Sequence, residues 1–179
     1  MPMGELLYLF SEWLRGTQIV EFALWLGEQP VSLWLGSHFF AIPILQTLHI
    51  LAIAAAFGSV LMINLRILGL SGEGQPLEQA TSRYVPWVWA SLAVLIVTGL
   101  ALVIGEPVRE LINPIFWVKM GLVVGLILLS LWFQSAVRRQ MLVARGPEAA
   151  LSVRTAAVAI IVMWCVVIFA GRWIAYAPA

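Results

Sequence analysis

Four long stretches without Asp, Glu, Lys or Arg constrain the fold of this chain more than any other feature. They run from Phe39 to Leu65, Val85 to Gly105, Met120 to Val137 and Thr155 to Gly171. An α-helix needs about 20 predominantly apolar residues to cross the hydrocarbon core of a bilayer. The whole chain is 62% hydrophobic and 11% charged, far from the composition of soluble domains. The sequence therefore predicts an all-α membrane protein with four antiparallel transmembrane helices.

Residues 1–30 differ from the rest of the chain because they are too polar to cross a membrane. Apolar residues recur there at helical spacing between glutamates, which predicts an interfacial amphipathic segment of one or two helices. The sequence Gly27-Glu28-Gln29-Pro30 is expected to end this segment. Residues 34–176 are expected to form a four-helix transmembrane bundle. Its predicted spans are about 37–70, 84–105, 115–137 and 154–176.

Basic residues near the predicted spans set the expected orientation, because Lys and Arg concentrate on the cytoplasmic side. Most arginines flank the loops over residues 70–83 and 138–153, whereas the remaining loop has Arg109 against Glu106 and Glu110. This asymmetry predicts that the first two loops are cytoplasmic and that both termini are periplasmic or extracellular. The lipid bilayer is the first expected partner. A net charge of +1 without a basic stripe argues against nucleic-acid binding.

Both histidines of the chain, His38 and His49, are predicted to lie on the first transmembrane helix. A separation of eleven positions places them within about 20° on one helix face and about 16 Å apart along the axis. Ala52 and Ala56 extend this face as a strip of small residues. Either a flat cofactor or another helix could approach closely over such a strip.

His49 is expected near the middle of the membrane, where an ionisable side chain is a candidate functional residue. A neutral imidazole can bind a metal through one nitrogen while a hydrogen bond holds the other. We therefore predict haem b ligation by His49, with His38 as a second metal-binding candidate. Ala52 and Ala56 would form one wall of the haem slot. The chain would then be a membrane cytochrome or an electron-transfer subunit.

Two cations complete the predicted haem site. Lys119 and Arg172 lie about one turn inside the outer ends of the third and fourth spans, in a layer between the two histidines. At this depth they could bind the haem propionates. Both side chains could equally extend to lipid headgroups.

The predicted site lacks a second axial ligand. The two ligand nitrogens of a six-coordinate haem are only about 4 Å apart, so His38 and His49 cannot bind the same iron. The second ligand could be His49 of a second copy in a symmetric homodimer, a methionine, or a residue of another membrane or periplasmic subunit. Alternatively, the iron is five-coordinate. The methionine candidates are Met62, Met120 and Met163.

Other interpretations of the same residues stay open. His49 could donate a hydrogen bond across helices, and His38 could lie at the interface next to Trp34. The candidate acceptors for His49 are Thr98, Ser91 and Gln46. The chain would then be a non-enzymatic scaffold or accessory subunit, or a small transporter for a metal ion or proton. No nucleophile is paired with a base in the sequence, so we do not expect an enzyme that acts on its own.

Several short motifs carry a resemblance to known proteins. They are Leu48-His49-Ile50-Leu51, Gly58-Ser59, Asn64-Leu65-Arg66-Ile67-Leu68-Gly69-Leu70, Pro86-Trp87, Thr98-Gly99, Asn113-Pro114, Phe116, Lys119 and Gly171-Arg172-Trp173-Ile174-Ala175-Tyr176. With these motifs the chain resembles a family of small bacterial four-span inner-membrane proteins of unassigned function. More distantly, it resembles four-helix cytochrome b and copper-resistance membrane proteins.

This resemblance implies a multi-pass protein of the bacterial inner membrane. It also implies that histidines in the outer half of the spans bind haem or copper, which points to His49 and more weakly to His38. In such cytochromes a second histidine usually lies on another helix. The second, third and fourth predicted spans of this chain have no histidine.

Overall fold

A computed structural model of the chain describes residues 3–71, 77–143 and 151–174. The described residues are almost entirely α-helical and contain no strand. Their helices are α1 (Met3–Arg15), α2 (Gln18–Gly27), α3 (Pro30–Ser37), α4 (Ala41–Ile67), α5 (Leu77–Gly105), α6 (Pro107–Leu111), α7 (Pro114–Val143) and α8 (Leu151–Trp173). The helices α4, α5, α7 and α8 each contain a segment long and apolar enough to cross a membrane. The predicted all-α class with four spans is confirmed, and the chain is a multi-pass membrane protein.

Several of the predicted span boundaries differ from the ends of the observed helices, and among the starts the first two differ most. The first span was expected from residue 37, but α4 begins at Ala41 because the chain is extended at His38. The second was expected from residue 84, whereas α5 begins at Leu77 and continues through Pro86. Transmembrane helices tolerate an internal proline because neighbouring groups can satisfy the freed backbone carbonyl. The last predicted residues of the fourth span, 175–176, lie outside the described residues, as do parts of both predicted cytoplasmic loops.

The N-terminal segment contains α1 and α2, followed by a third short helix. The predicted helix break between Gly27 and Pro30 is confirmed, since α2 ends at Gly27 and α3 begins with Pro30 after an extended Gln29. Proline suits this first helical position because its missing N–H would have no partner there. Leu14 and Ala23 are fully buried, so α1 and α2 pack their apolar sides against the protein. Their position at the membrane interface stays a prediction.

The four long helices pack in the spatial order α5, α4, α8, α7. The pair α4 and α5 is in extensive contact, α4 also contacts α8, and α8 contacts α7. Within the described ranges, α5 and α7 make no close backbone contact. The main apolar core lies where α4, α7 and α8 meet. Its buried residues are Ala56, Leu126, Phe133, Val153, Ala156, Ala157, Ile160, Trp164 and Val167.

One end of the bundle, which we call the α6 end, is closed by a second apolar cluster. The cluster joins the N-terminal helices to α6, the start of α7 and the residue that follows α8. Its buried residues are Ala23, Leu111, Ile115, Phe116 and Ile174. Both described chain ends therefore approach the same end of the bundle. Which side of the membrane this end faces stays a prediction.

Asn113 fixes the connection at the α6 end. Its side chain is 1% exposed, and its Oδ1 accepts a hydrogen bond of 2.9 Å from the backbone N–H of Ile115. Its Nδ2 donates to the carbonyl oxygen of Ile174 at 3.3 Å. Asn113 therefore caps the start of α7 and holds it beside the end of α8, which positions Lys119.

Candidate functional site

His49 contacts α5 through a defined hydrogen bond. Its Nδ1 lies 2.7 Å from Thr98 Oγ1, and Thr98 Oγ1 lies 2.7 Å from the carbonyl oxygen of Val94. Because a hydroxyl has a single hydrogen, which Thr98 donates to Val94, the Nδ1–H of His49 is the donor to Thr98. The neutral imidazole is thereby assigned its Nδ1-protonated tautomer. Its Nε2 is an acceptor, for which no hydrogen-bond partner exists among the described residues.

Small residues on α5 make this contact possible. Thr98 is 4% exposed, and a Cβ added at Gly99 would lie 3.5 Å from His49 Cε1. The imidazole therefore lies directly against the backbone of α5. Of the three acceptors that the sequence offered, the structure selects Thr98. The hydrogen-bonding interpretation of His49 is confirmed, and it is compatible with ligation through the other ring nitrogen.

The inward face of α4 carries His49 followed by small residues. His49 is half-buried, Ala52 is 7% exposed and Ala56 is fully buried, whereas Ile50 and Leu51 are more than half exposed. Intramembrane ionisable residues in functional sites usually face the bundle interior in this way. His49 therefore faces the protein interior, while Ile50 and Leu51 face its surroundings.

The strip formed by Ala52 and Ala56 is covered by protein. Ala56 belongs to the main apolar core, together with Ala157, Ile160 and Trp164 of α8. The sequence allowed either a flat group or another helix over this strip. In the structure, the helix α8 covers Ala56. A haem slot along these alanines stays a prediction, and it would require α8 to separate from α4.

Lys119 lies close to the end of α8. A Cβ added at Gly171 would be 3.5 Å from Lys119 Nζ, so the ammonium group lies beside the residue that precedes Arg172. Lys119 and Arg172 therefore lie at the same end of the bundle, while their depth between the two histidines stays a prediction. Lys119 is half-buried and interacts electrostatically with both His49 and Glu110. Arg172 is exposed.

Glu110 on α6 is a charged group that the sequence analysis treated only as a loop residue. Burial raises the pKa of the Glu110 carboxyl above its usual range, and the opposing charges of Arg109 and Lys119 offset only part of this rise. Glu110, Lys119 and His49 thus form a set of ionisable groups that runs from α6 towards the bundle interior. An acidic residue nine positions before an intramembrane lysine was the available sequence signal.

His38 does not share a helix with His49, and that prediction is wrong. The helix α3 ends at Ser37, His38 has an extended backbone, and α4 begins at Ala41. The imidazole of His38 is exposed, its Nδ1 lies 2.7 Å from the carbonyl oxygen of Trp34, and its ring centroid lies 4.5 Å from that of Trp34. The structure therefore places His38 next to Trp34, as the alternative interpretation proposed.

The candidate methionines lie in different surroundings. Met163 packs in the main apolar core, and Met120 packs against the cluster at the α6 end. Met62 lines a small cavity of about 90 Å³ near Arg66, thirteen residues along α4 from His49. Thirteen helical residues correspond to about 20 Å, which excludes Met62 as a ligand to the same iron. The described residues contain no cluster of three or more metal-binding His, Cys, Asp or Glu side chains.

Comparisons with known proteins identify a family but no activity. The profile of a protein family described as "Family of unknown function (DUF6644)" matches residues 34–177, which include all four long helices. Among curated proteins, and separately among solved structures, no match was found. The matched range begins in α3, so α1 and α2 precede it.

Proposed function

Because the chain belongs to the DUF6644 family, whose function is unknown, we propose its function from the geometry around His49. The protein is a haem b-binding membrane cytochrome or electron-transfer subunit, and His49 supplies an axial imidazole through Nε2. Haem b would supply a one-electron redox centre within the membrane. The residues of the chain bind this group, orient the imidazole and balance the negative charge of the propionates.

The hydrogen bond between His49 and Thr98 is the observation that carries the proposal. Metal-binding histidines usually donate their second ring N–H to an oxygen acceptor, which fixes the tautomer and the orientation of the ring. Thr98 Oγ1 accepts such a bond at 2.7 Å, while Nε2 has no protein partner among the described residues. The imidazole is thus already in the form that binds a metal ion.

A second copy of the chain completes the proposed site. The chain has two histidines, and His38 is bound to Trp34 at the end of α3. A single chain therefore provides one axial imidazole, and a two-fold axis would bring His49 of two copies to the same depth. Because α8 covers Ala56, the haem would have to reach His49 by a path other than the strip of small residues.

The cations at the α6 end support a negatively charged group on this side of His49. Lys119 lies beside Gly171 and interacts electrostatically with His49. A half-buried ammonium is stabilised by anionic partners, of which Glu110 is one, and the two propionates of haem b would be further ones. Arg172 follows Gly171 directly and would act on a propionate from the exposed side.

The first test is an absorption spectrum of the detergent-purified full-length protein, before and after reduction with dithionite, with haem quantified per chain. We expect a sharp reduced α band and about half a haem per chain, as a site shared by two copies requires. His49→Ala should abolish the band, and His38→Ala should leave it unchanged. His49→Gln keeps a polar side chain next to Thr98 and serves if His49→Ala does not fold.

A colourless protein from haem-replete cells would exclude this function. An unchanged spectrum in both His49 variants would show that haem binds elsewhere. One haem per chain would exclude a haem shared by two copies and would indicate a second ligand from the same chain.

A proton or ion path is the second candidate function. It is favoured by the electrostatic interaction of Lys119 with both Glu110 and His49, which joins three ionisable groups between α6 and the bundle interior. In proteoliposomes, a path would give ion or proton flux that Glu110→Gln and His49→Gln both reduce. Flux equal to that of empty liposomes would exclude it.

A further inference from the structure

A shallow groove at the α6 end is separate from the His49 site. It has a volume of about 520 Å³ and lies between the α2–α3 region and the turn from α5 to α6. Glycines form much of its wall, since a Cβ at Gly27 would lie 3.6 Å from Pro107 and one at Gly36 would lie 3.9 Å from the carbonyl oxygen of Gly105. These two glycines keep space open that longer side chains would fill.

Ser32 is an unpartnered polar residue in the wall of this groove. It is 4% exposed, yet its hydroxyl forms no hydrogen bond with any of the described residues. The hydroxyl oxygen of Ser32 is not fully enclosed by protein but open to the groove. A polar ligand in the groove can therefore form a hydrogen bond with it. Neighbouring Ser37 differs, because its hydroxyl already donates to the carbonyl oxygen of Trp34 at 3.0 Å.

The two charged residues that line the groove, Glu106 and Arg109, form an ion pair, and Arg109 also approaches Glu110 outside the lining. Arg109 Nη1 lies 2.8 Å from Glu106 Oε2, and Arg109 Nη2 lies 4.0 Å from Glu110 Oε1. One guanidinium thus faces two carboxylates, which disfavours a ligand with net negative charge. A ligand that carries both signs could bind its anionic group to Arg109 and Ser32 and its cationic group to Glu106.

The groove also lies at the edge of the apolar spans. α5 ends at Gly105, which is itself part of the groove wall. Leu33 in the same wall is 60% exposed, and the neighbouring Trp34 is 56% exposed. Exposed tryptophans are enriched at the level of the lipid headgroups, and an exposed leucine there meets acyl chains. An amphipathic ligand fits this combination of polar and apolar walls.

We propose that this groove binds the headgroup of a zwitterionic phospholipid of the phosphatidylethanolamine class. The phosphate contacts Arg109 and the hydroxyl of Ser32, and the ammonium contacts Glu106. The acyl chains extend past Leu33 into the bilayer. This inference goes beyond the proposed function and does not depend on haem binding.

The test is lipid retention by the purified full-length protein, measured by native mass spectrometry after addition of phosphatidylethanolamine or phosphatidylglycerol with matched acyl chains. We expect preferential retention of phosphatidylethanolamine. Ser32→Ala should weaken its retention about fivefold, which is the effect of one hydrogen bond. Gly36→Leu should abolish retention by filling the groove, since Gly36 is exposed and a Cβ there makes only ordinary contacts.

Ser37→Ala is the matched control, because it removes a hydroxyl from the same wall whose hydrogen bond is internal. Its retention of phosphatidylethanolamine should equal that of the wild type. Equal retention of the two lipids by the wild type would overturn the proposal. Unchanged retention in Gly36→Leu would do the same, since the bound lipid would then lie elsewhere. The haem spectrum of each variant serves as a separate readout and should not change.

Discussion

The two histidines of the chain lie in regions that hold an imidazole in opposite ways. At the contact between α4 and α5, His49 bonds to Thr98, a residue 49 positions away in sequence, and lies against Gly99 in the bundle interior. At the junction between α3 and α4, His38 bonds to Trp34 only four positions away and is exposed. One contact joins two helices, whereas the other is formed within a single turn of chain.

This difference separates a candidate binding site, at His49, from a local contact with the preceding turn, at His38. An exposed imidazole held by its own turn has ready access to water, so its second nitrogen needs no partner. A half-buried imidazole whose tautomer is set by another helix has one nitrogen held and the other without a partner among the described residues. The second arrangement orients the imidazole of His49 to bind a metal ion, and it depends on the packing of α4 against α5.

Removal of the acceptor for His49 should have the largest effect on stability. Thr98→Val preserves the shape of the side chain but leaves Nδ1–H of His49 without an acceptor. We expect a loss of about 0.6 kcal/mol of unfolding free energy, the average measured for interhelical hydrogen bonds in a membrane protein, and at most about 1.7 kcal/mol, the largest value measured. Thermal unfolding of the detergent-purified protein, followed by tryptophan fluorescence, would measure it.

Thr98→Ser is the control, because it keeps the hydroxyl and should retain most of the stability. Equal stability of Thr98→Val and the wild type would show that the hydrogen bond does not hold α4 to α5. The contrast between the two histidines would then disappear.

Glu110 tests whether the α6 end of the bundle excludes water. Burial raises the pKa of its carboxyl, so between the unfolded and folded pKa values the folded protein holds more protons. Stability should therefore fall as the pH rises through this window. Glu110→Gln should remove the fall, raise stability at neutral pH and match the wild type below about pH 4, where the unfolded carboxyl is also protonated.

Unfolding temperatures of both proteins across this pH range are the measurement. Arg109→Gln is an informative companion, because it removes a cation that lowers the pKa of Glu110. This variant should make the pH-dependent fall steeper. Parallel pH profiles of the wild type and Glu110→Gln would mean that the carboxyl is as solvated as one in the unfolded chain.

The smallest effect is expected at the exposed junction. His38→Ala removes a local hydrogen bond and the ring contact with Trp34. Substitutions at such exposed positions usually change stability by less than about 0.5 kcal/mol. Thermal unfolding under the same conditions should therefore show almost no change. A loss as large as that of Thr98→Val would mean that the junction also contributes to holding the bundle.

Individual residues show how far the sequence could predict the site. Lys119 was predicted to lie level with Arg172 from its distance to the start of its helix, and it does lie beside Gly171. Thr98 was one of three possible acceptors for His49, because sequence spacing places a residue on a helix face but does not say which faces meet. Glu110 was missed, since its burial results from the packing of α6 against α2, α5 and α7.

His38 shows the opposite limitation. Regular helical counting placed it on the same face as His49, and a break at Phe39 and Phe40 invalidated that count. Apolar residues suit either a helix or a turn near a membrane boundary, so hydrophobicity does not reveal such a break. The position of Pro43 near the start of α4 was a better indicator of the helix start.

The sequence by itself determined that this chain is helical and crosses a membrane four times. The physical reason is local: each apolar stretch must satisfy its own backbone hydrogen bonds in lipid, and only a helix can do so within one segment. Only the tertiary structure decided that Thr98 binds His49, that α8 covers Ala56 and that Lys119 lies beside Gly171. These contacts depend on which helix faces meet, and that choice is made by packing between segments far apart in the chain.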